Sequence, residues 1–121
     1  MITRTVEPRG RIVFAIAGPL THDVAKELRP MLDRDLLEAR GSKSGVRFVI
    51  DLADSPDIEP RALKTLEGST RLILSEIGAG LELINVSDDI HALLKTARFT
   101  NVFTVTRAGE QPRVPLPDLP I

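Results

Sequence analysis

Cysteine is absent from the 121 residues, which removes disulfide frameworks, thiolate nucleophiles and zinc–thiolate sites together. Long hydrophobic runs are missing as well. No window approaches the roughly 18 consecutive apolar residues of a membrane-spanning helix, and the opening MITRTVEPRGRIVFAIAG has only a short apolar stretch with no small-residue cleavage pattern. The expectation is a cytoplasmic chain without direct membrane insertion. Nor does charge of one sign dominate: 16 Lys and Arg face 17 Asp and Glu, a formal net charge of -1. Such a surface has no field to concentrate a polyanion, so nucleic acid is not an expected partner. Histidine is limited to His22 and His91, neither with a second ligand at helical or hairpin spacing, and no metal site or cofactor is expected from them.

What is present is ordinary for one globular domain: 42% hydrophobic and 27% charged residues in 121, enough to bury a single core. Arg11 to Ala17, RIVFAIA, is short, β-branched and bounded by glycines, and reads as a strand. From Thr21, a plausible N-cap, the spacing of Val24, Leu28, Met31, Leu32, Leu36 and Ala39 predicts an amphipathic helix ending near Gly41. Pro30 inside it removes a backbone donor at a cost of roughly 3 kcal/mol and predicts a kink or a break. Val46 to Leu52 is a near-continuous apolar run, as expected of a central strand buried on both faces.

A second helix is predicted from Pro60, with Leu63, Leu66, Thr70, Ile73, Leu74 and Ile77 along one side and Gly78 and Gly80 at its end. Leu81 to Val86 is the next strand, Ser87 caps a short helix through Ala97, and a last strand is expected at Val102 to Val105. Crossovers of this length favour a mostly parallel sheet, to which Ile2 to Val6 adds an antiparallel edge strand. Residues 1–107 thus form the domain. Residues 108–121 carry closely spaced prolines and are expected to be an extended C-terminal tail.

Among candidate chemistries, Asp51, Asp54, Asp57 and Glu59 cluster at and after the central strand. Carboxylates at the carboxyl end of a strand in an open α/β sheet are able to hold a hard cation, but a polar solvated loop has the same composition. VIDLADSPDIEP also resembles the phosphoacceptor loop of receiver domains. The acidic pair that family needs after its first strand is replaced here by Gly18-Pro19-Leu20-Thr21, and the lysine ending its last strand by Thr106-Arg107. No serine belongs to a nucleophile elbow, a triad or a phosphate-cradling loop, so the chain is not expected to be an enzyme.

Three segments in order, RIVFAIAGPLTHDVAKELRPML, FVIDLADSPDIEPRALKTL and LELINVSDDIHALLKTARFTNVF, resemble the STAS domain of sulfate transporters and anti-sigma factor antagonists. The resemblance implies a STAS-like α/β fold, a mixed, mostly parallel sheet with an antiparallel edge strand, covered by helices. It also implies that Glu59, Pro60, Arg61, Ala62 and Leu63 occupy the loop that in the family reads Asp-Ser-Ser-Gly-Leu. The first serine of that motif takes phosphate from a partner kinase in switching members; this chain has Pro60, which has no hydroxyl, so the switch is missing at its usual place.

The resemblance further implies a protein-docking surface made by Thr21, Asp57, Ile58, Glu59, Pro60, Arg61, Leu63 and Lys64, with Ile58 and Leu63 as apolar contacts and Glu59, Arg61 and Lys64 as a polar rim. The expected partner is an anti-sigma factor, a serine kinase or a stressosome component. An alternative is the ATPase of a bacterial lipid-transport ABC system, in which the chain would be a structural subunit. A third is a nucleotide-sensing role at the helix end. A homodimer is a further expectation.

Overall fold

The computed structural model describes residues 1–39, 45–99 and 102–109. The elements run β1 (Ile2–Val6), β2 (Arg11–Ile16), α1 (His22–Ala39), β3 (Arg47–Asp51), α2 (Pro60–Ile77), β4 (Glu82–Val86), α3 (Asp88–Thr96) and β5 (Thr104–Arg107). The five strands lie in sequence order, β1 antiparallel to β2 and the rest parallel. The expected mixed sheet with its antiparallel edge is therefore observed. A hairpin over Glu7–Gly10 joins β1 to β2; Gly10 takes φ 80°, a left-handed conformation that only glycine adopts without strain, and its carbonyl accepts from the Arg47 N–H at 3.1 Å.

Successive right-handed crossovers that all step the same way along a sheet deliver their helices to one face, where α1 and α2 pack side by side. Alternation in β2 sends Ile12, Phe14 and Ile16 toward those helices. They join Phe48 and Ile50 of β3, Leu28 and Leu32 of α1, Leu63 and Leu66 of α2, and Leu94 of α3 in one buried cluster. Each such leucine contributes about 1.5–3 kcal/mol by leaving water. Phe48, Val49 and Ile50 are all fully buried, as the continuous apolar run of a central strand requires. Edge strand β1 is tied to the helix layer by Arg4, whose Nε and Nη2 each donate at 2.8 Å to the carboxylate of Asp35, a buried residue of α1.

Three local expectations are corrected. Of the kink or break expected at Pro30, the break does not occur, and α1 continues from His22 to Ala39. Pro30 and Lys26, whose carbonyl loses its usual donor, lie on the exposed side of the helix, where that oxygen is open to solvent. The last strand is Thr104–Arg107 instead of Val102–Val105. Phe99 and Phe103 are drawn into the core with ring centroids 6.1 Å apart, and the Val102 and Phe103 N–H groups both turn back to the Phe99 carbonyl at 3.0 and 3.3 Å. Burying the two rings uses up the residues expected to begin the strand. The third correction concerns Ile58 and Leu63, described with the site below. Gly41 and the proline-rich stretch from residue 110 onward lie outside the described residues.

Candidate functional site

The site is built where the chain leaves β2 for α1 and β3 for α2, at the carboxyl ends of two neighbouring parallel strands. Two loops meet there and are laced by backbone hydrogen bonds: Gly18 N–H to Asp54 O at 3.0 Å, Leu20 N–H to Asp57 O at 2.9 Å, and Glu59 N–H to Leu20 O at 2.9 Å. Leu20 and Ile58 form a parallel bridge, and the pair is buried at 0% and 3% exposure. The β3–α2 loop thus behaves as a short extra strand and not as a free loop.

Acidic residues of the sequence cluster organise this lacing. Asp51 Oδ1 accepts from the Ala53 N–H and from Asn85 Nδ2, both at 2.9 Å, and fixes the turn after β3 to β4. Asp57 Oδ1 accepts from the Ile58 N–H at 2.9 Å, and Ser55, buried, donates its hydroxyl to the Asp57 carbonyl at 3.1 Å. Glu59 reaches across to α1, where its Oε1 accepts from the His22 N–H at 2.7 Å. That N–H belongs to the first turn of α1 and has no partner within the helix. Thr21 caps the same helix, its Oγ1 accepting from Val24 N–H at 3.2 Å. Among the described residues, no three carboxylate or imidazole side chains gather as a metal-holding group.

Helix α2 begins at Pro60, whose fixed φ suits the first helical position. The carbonyl of Glu59 accepts from Ala62 and Leu63 N–H at 2.9 and 3.3 Å. With proline supplying no donor, only the Arg61 N–H of the first turn stays without a partner among the described residues. Pro60, Arg61 and Lys64 are exposed together with Asp57 and Glu59. Ile58 and Leu63, expected as apolar docking contacts, are 3% and 0% exposed. Ile58 points inward from its bridge to Leu20, and Leu63 shares the inward face of α2 with Leu66 and Ile73, so neither is available to a partner. The surface that remains is polar: Asp57, Glu59, Pro60, Arg61 and Lys64, with the half-buried Thr21 at its margin.

Sequence reasoning missed the contact between the two helix starts. His22 Nδ1 lies 3.4 Å from Thr65 Oγ1, and Thr65 also donates to the Arg61 carbonyl at 3.2 Å. Each residue alone gave no signal; the contact exists because α1 and α2 are neighbours.

The STAS domain family model matches residues 3–111. The chain belongs to the STAS domain family. A STAS fold is also found in solved structures at low sequence identity. A candidate anti-sigma factor antagonist from Thermotoga maritima is 11% identical, with 87% of this chain and 85% of that one covered and a TM-score of 0.71. A sulfate transporter family protein from Wolinella succinogenes is 23% identical over 84% of this chain and 80% of that one, at a TM-score of 0.65. The phosphorylated form of the Bacillus cell fate determinant SpoIIAA is 12% identical over 87% of this chain and 90% of that one, at 0.63. A search of curated proteins finds no match. Among the described residues of this STAS domain, no helix is long and apolar enough to cross a membrane.

Proposed function

We propose that this STAS domain is a non-enzymatic protein-binding module of the anti-sigma factor antagonist kind, docking through the exposed start of α2 and not switched by phosphate at position 60. The carrying observation is Pro60 at the first position of α2, exposed and followed by Arg61 and Lys64, neither of which has an ion-pair partner among the described residues. A switching member gains about two negative charges at such a place when its hydroxyl is modified. Here the hydroxyl is replaced and the neighbouring charge is permanently positive, so the docking surface has one electrostatic state. The partner is an anti-sigma factor or a serine kinase that tolerates or requires that state.

Two features weigh against the other readings. For nucleotide sensing, the start of α2 offers a poor anion cradle, with no donor on Pro60 and two further N–H groups taken by the Glu59 carbonyl. For catalysis, Ser55 and Ser69 are buried, and Ser55 spends its hydroxyl on a loop carbonyl. The test is affinity capture from a cell extract, comparing the native protein with Arg61→Glu/Lys64→Glu. Retention of an anti-sigma factor or serine kinase that the double variant loses, with phosphate incorporated only into Pro60→Ser, supports the proposal. Recovery of a transport ATPase with membrane subunits makes the chain a structural subunit instead and overturns it.

A further inference from the structure

Helices α1 and α2 enclose an open groove of about 410 Å³, lined by His22, Lys26, Arg29, Pro30, Asp33 and Thr65. Its walls follow from helical spacing. Residues 22, 26, 29, 33 and 37 form the rim of α1 nearest α2, and residues 61, 65, 68 and 72 form the facing rim of α2, the two joined at the His22–Thr65 contact. Three properties of these rims bear on what the groove can hold. Lys26 and Arg29 stand on the α1 rim and Arg61 one turn before Thr65 on the α2 rim, all exposed and with no hydrogen-bond or ion-pair partner among the described residues. With the two helices parallel and His22 beside Thr65, Leu72 lies about level with Arg29 and Leu37 about two turns beyond it, exposed at 43% and 65%. Gly68, between Thr65 and Leu72 on the α2 rim, presents no side chain, and a Cβ placed there would meet no atom within 4 Å.

From these we infer that the α1–α2 groove docks an acidic amphipathic helix of a partner protein, its carboxylates on Lys26, Arg29 and Arg61 and its apolar side chains over Gly68, Leu72 and, about two turns further on, Leu37. This rests on the reading of the chain as a protein-binding module and names the chemistry of what it binds. Charge complementarity selects the occupant. Three unpaired cations outnumber the groove's Asp33, the Glu59 carboxylate already accepts from His22 N–H, and the positive ends of both helix dipoles lie at the same end of the groove. Packed helices sit roughly 8–10 Å apart, which leaves a furrow shaped for a third. From Lys26 to Leu37 the rise is about 16 Å, some three turns of a docked helix.

The probe is a capped 18-residue peptide with leucines on one helical stripe and glutamates elsewhere, titrated into the isotope-labelled full chain and followed by amide chemical shifts. A matched peptide with lysine for every glutamate is the control. The expected result is saturable shifts centred on Lys26, Arg29, Gly68 and Leu72, at least tenfold weaker binding for Lys26→Glu/Arg29→Glu and for Gly68→Leu, and none for the lysine peptide. All three substitutions are at exposed positions, and retained amide dispersion shows that the fold is intact. Shifts scattered over the surface, equal binding of the lysine peptide, or indifference to the substitutions overturns the inference. Because no native partner takes part, that failure leaves the capture experiment at Arg61 and Lys64 standing on its own result.

Discussion

Replacing Glu59 separates two ways in which one side chain holds the site together. Its Oε1 accepts from the His22 N–H at 2.7 Å, while the residue itself is the N-cap of α2, so one carboxylate lies near the positive ends of both helices. Glu59→Ala removes the acceptor and leaves a first-turn N–H to water, a loss of about 1 kcal/mol within a range of about 0.5–2. Glu59→Gln keeps a carbonyl oxygen for His22 and removes only the charge, a loss of about 0.3–1 kcal/mol that shrinks as salt screens the dipoles. The chain has neither tryptophan nor tyrosine, so urea unfolding is followed by far-ultraviolet circular dichroism, with a slope of roughly 1–3 kcal/mol per molar urea. The expected order is native, then Gln, then Ala, with the Gln variant converging on the native protein near 1 M salt. Equal losses for both variants, unaffected by salt, would refute the idea that the hydrogen bond and the charge act separately.

Thr70 Oγ1 accepts from the Leu81 N–H at 2.8 Å in a buried setting; Thr70→Val keeps the shape and strands that donor, and urea unfolding should show a loss of about 1–3 kcal/mol, whereas Thr70→Ser should lose less. Gly68→Ala fills open space in a helix interior and should stabilise by about 1 kcal/mol, read as a rise of roughly 3–6 °C in Tm. The Arg107 guanidinium, hydrogen-bonded to Asp88, holds that carboxyl below its usual range. With the folded value below the unfolded one, the contribution is present above the unfolded pKa and lost as pH falls through the folded pKa. Asp88→Asn should therefore lower stability slightly near neutrality, leave it unchanged at low pH, and so flatten the acid side of the stability–pH curve.

How much of this was legible beforehand depends on whether the governing interaction is local in the chain. Turn residues and hydrophobic period are local, so the element order, the caps at Thr21 and Ser87, Pro60 at the start of α2 and the left-handed Gly78 at its end all follow from the residues themselves. The same period already assigned Leu63 to the face of Leu66 and Ile73, and its burial agrees with that spacing over its expected place in a docking surface. Ile58 sits in a stretch without any period, and only the bridge to Leu20, 38 positions earlier, turns it inward. Pro30 is tolerated because tertiary packing turns it toward water, a direction its local cost does not reveal. The lacing of Glu59 to His22 and the groove between α1 and α2 join residues more than 30 positions apart. Sequence determined which segments become strands and helices and which of their faces are apolar; adjacency of two helices on one sheet face, set by crossover handedness and core packing, decided which polar side chains share a surface.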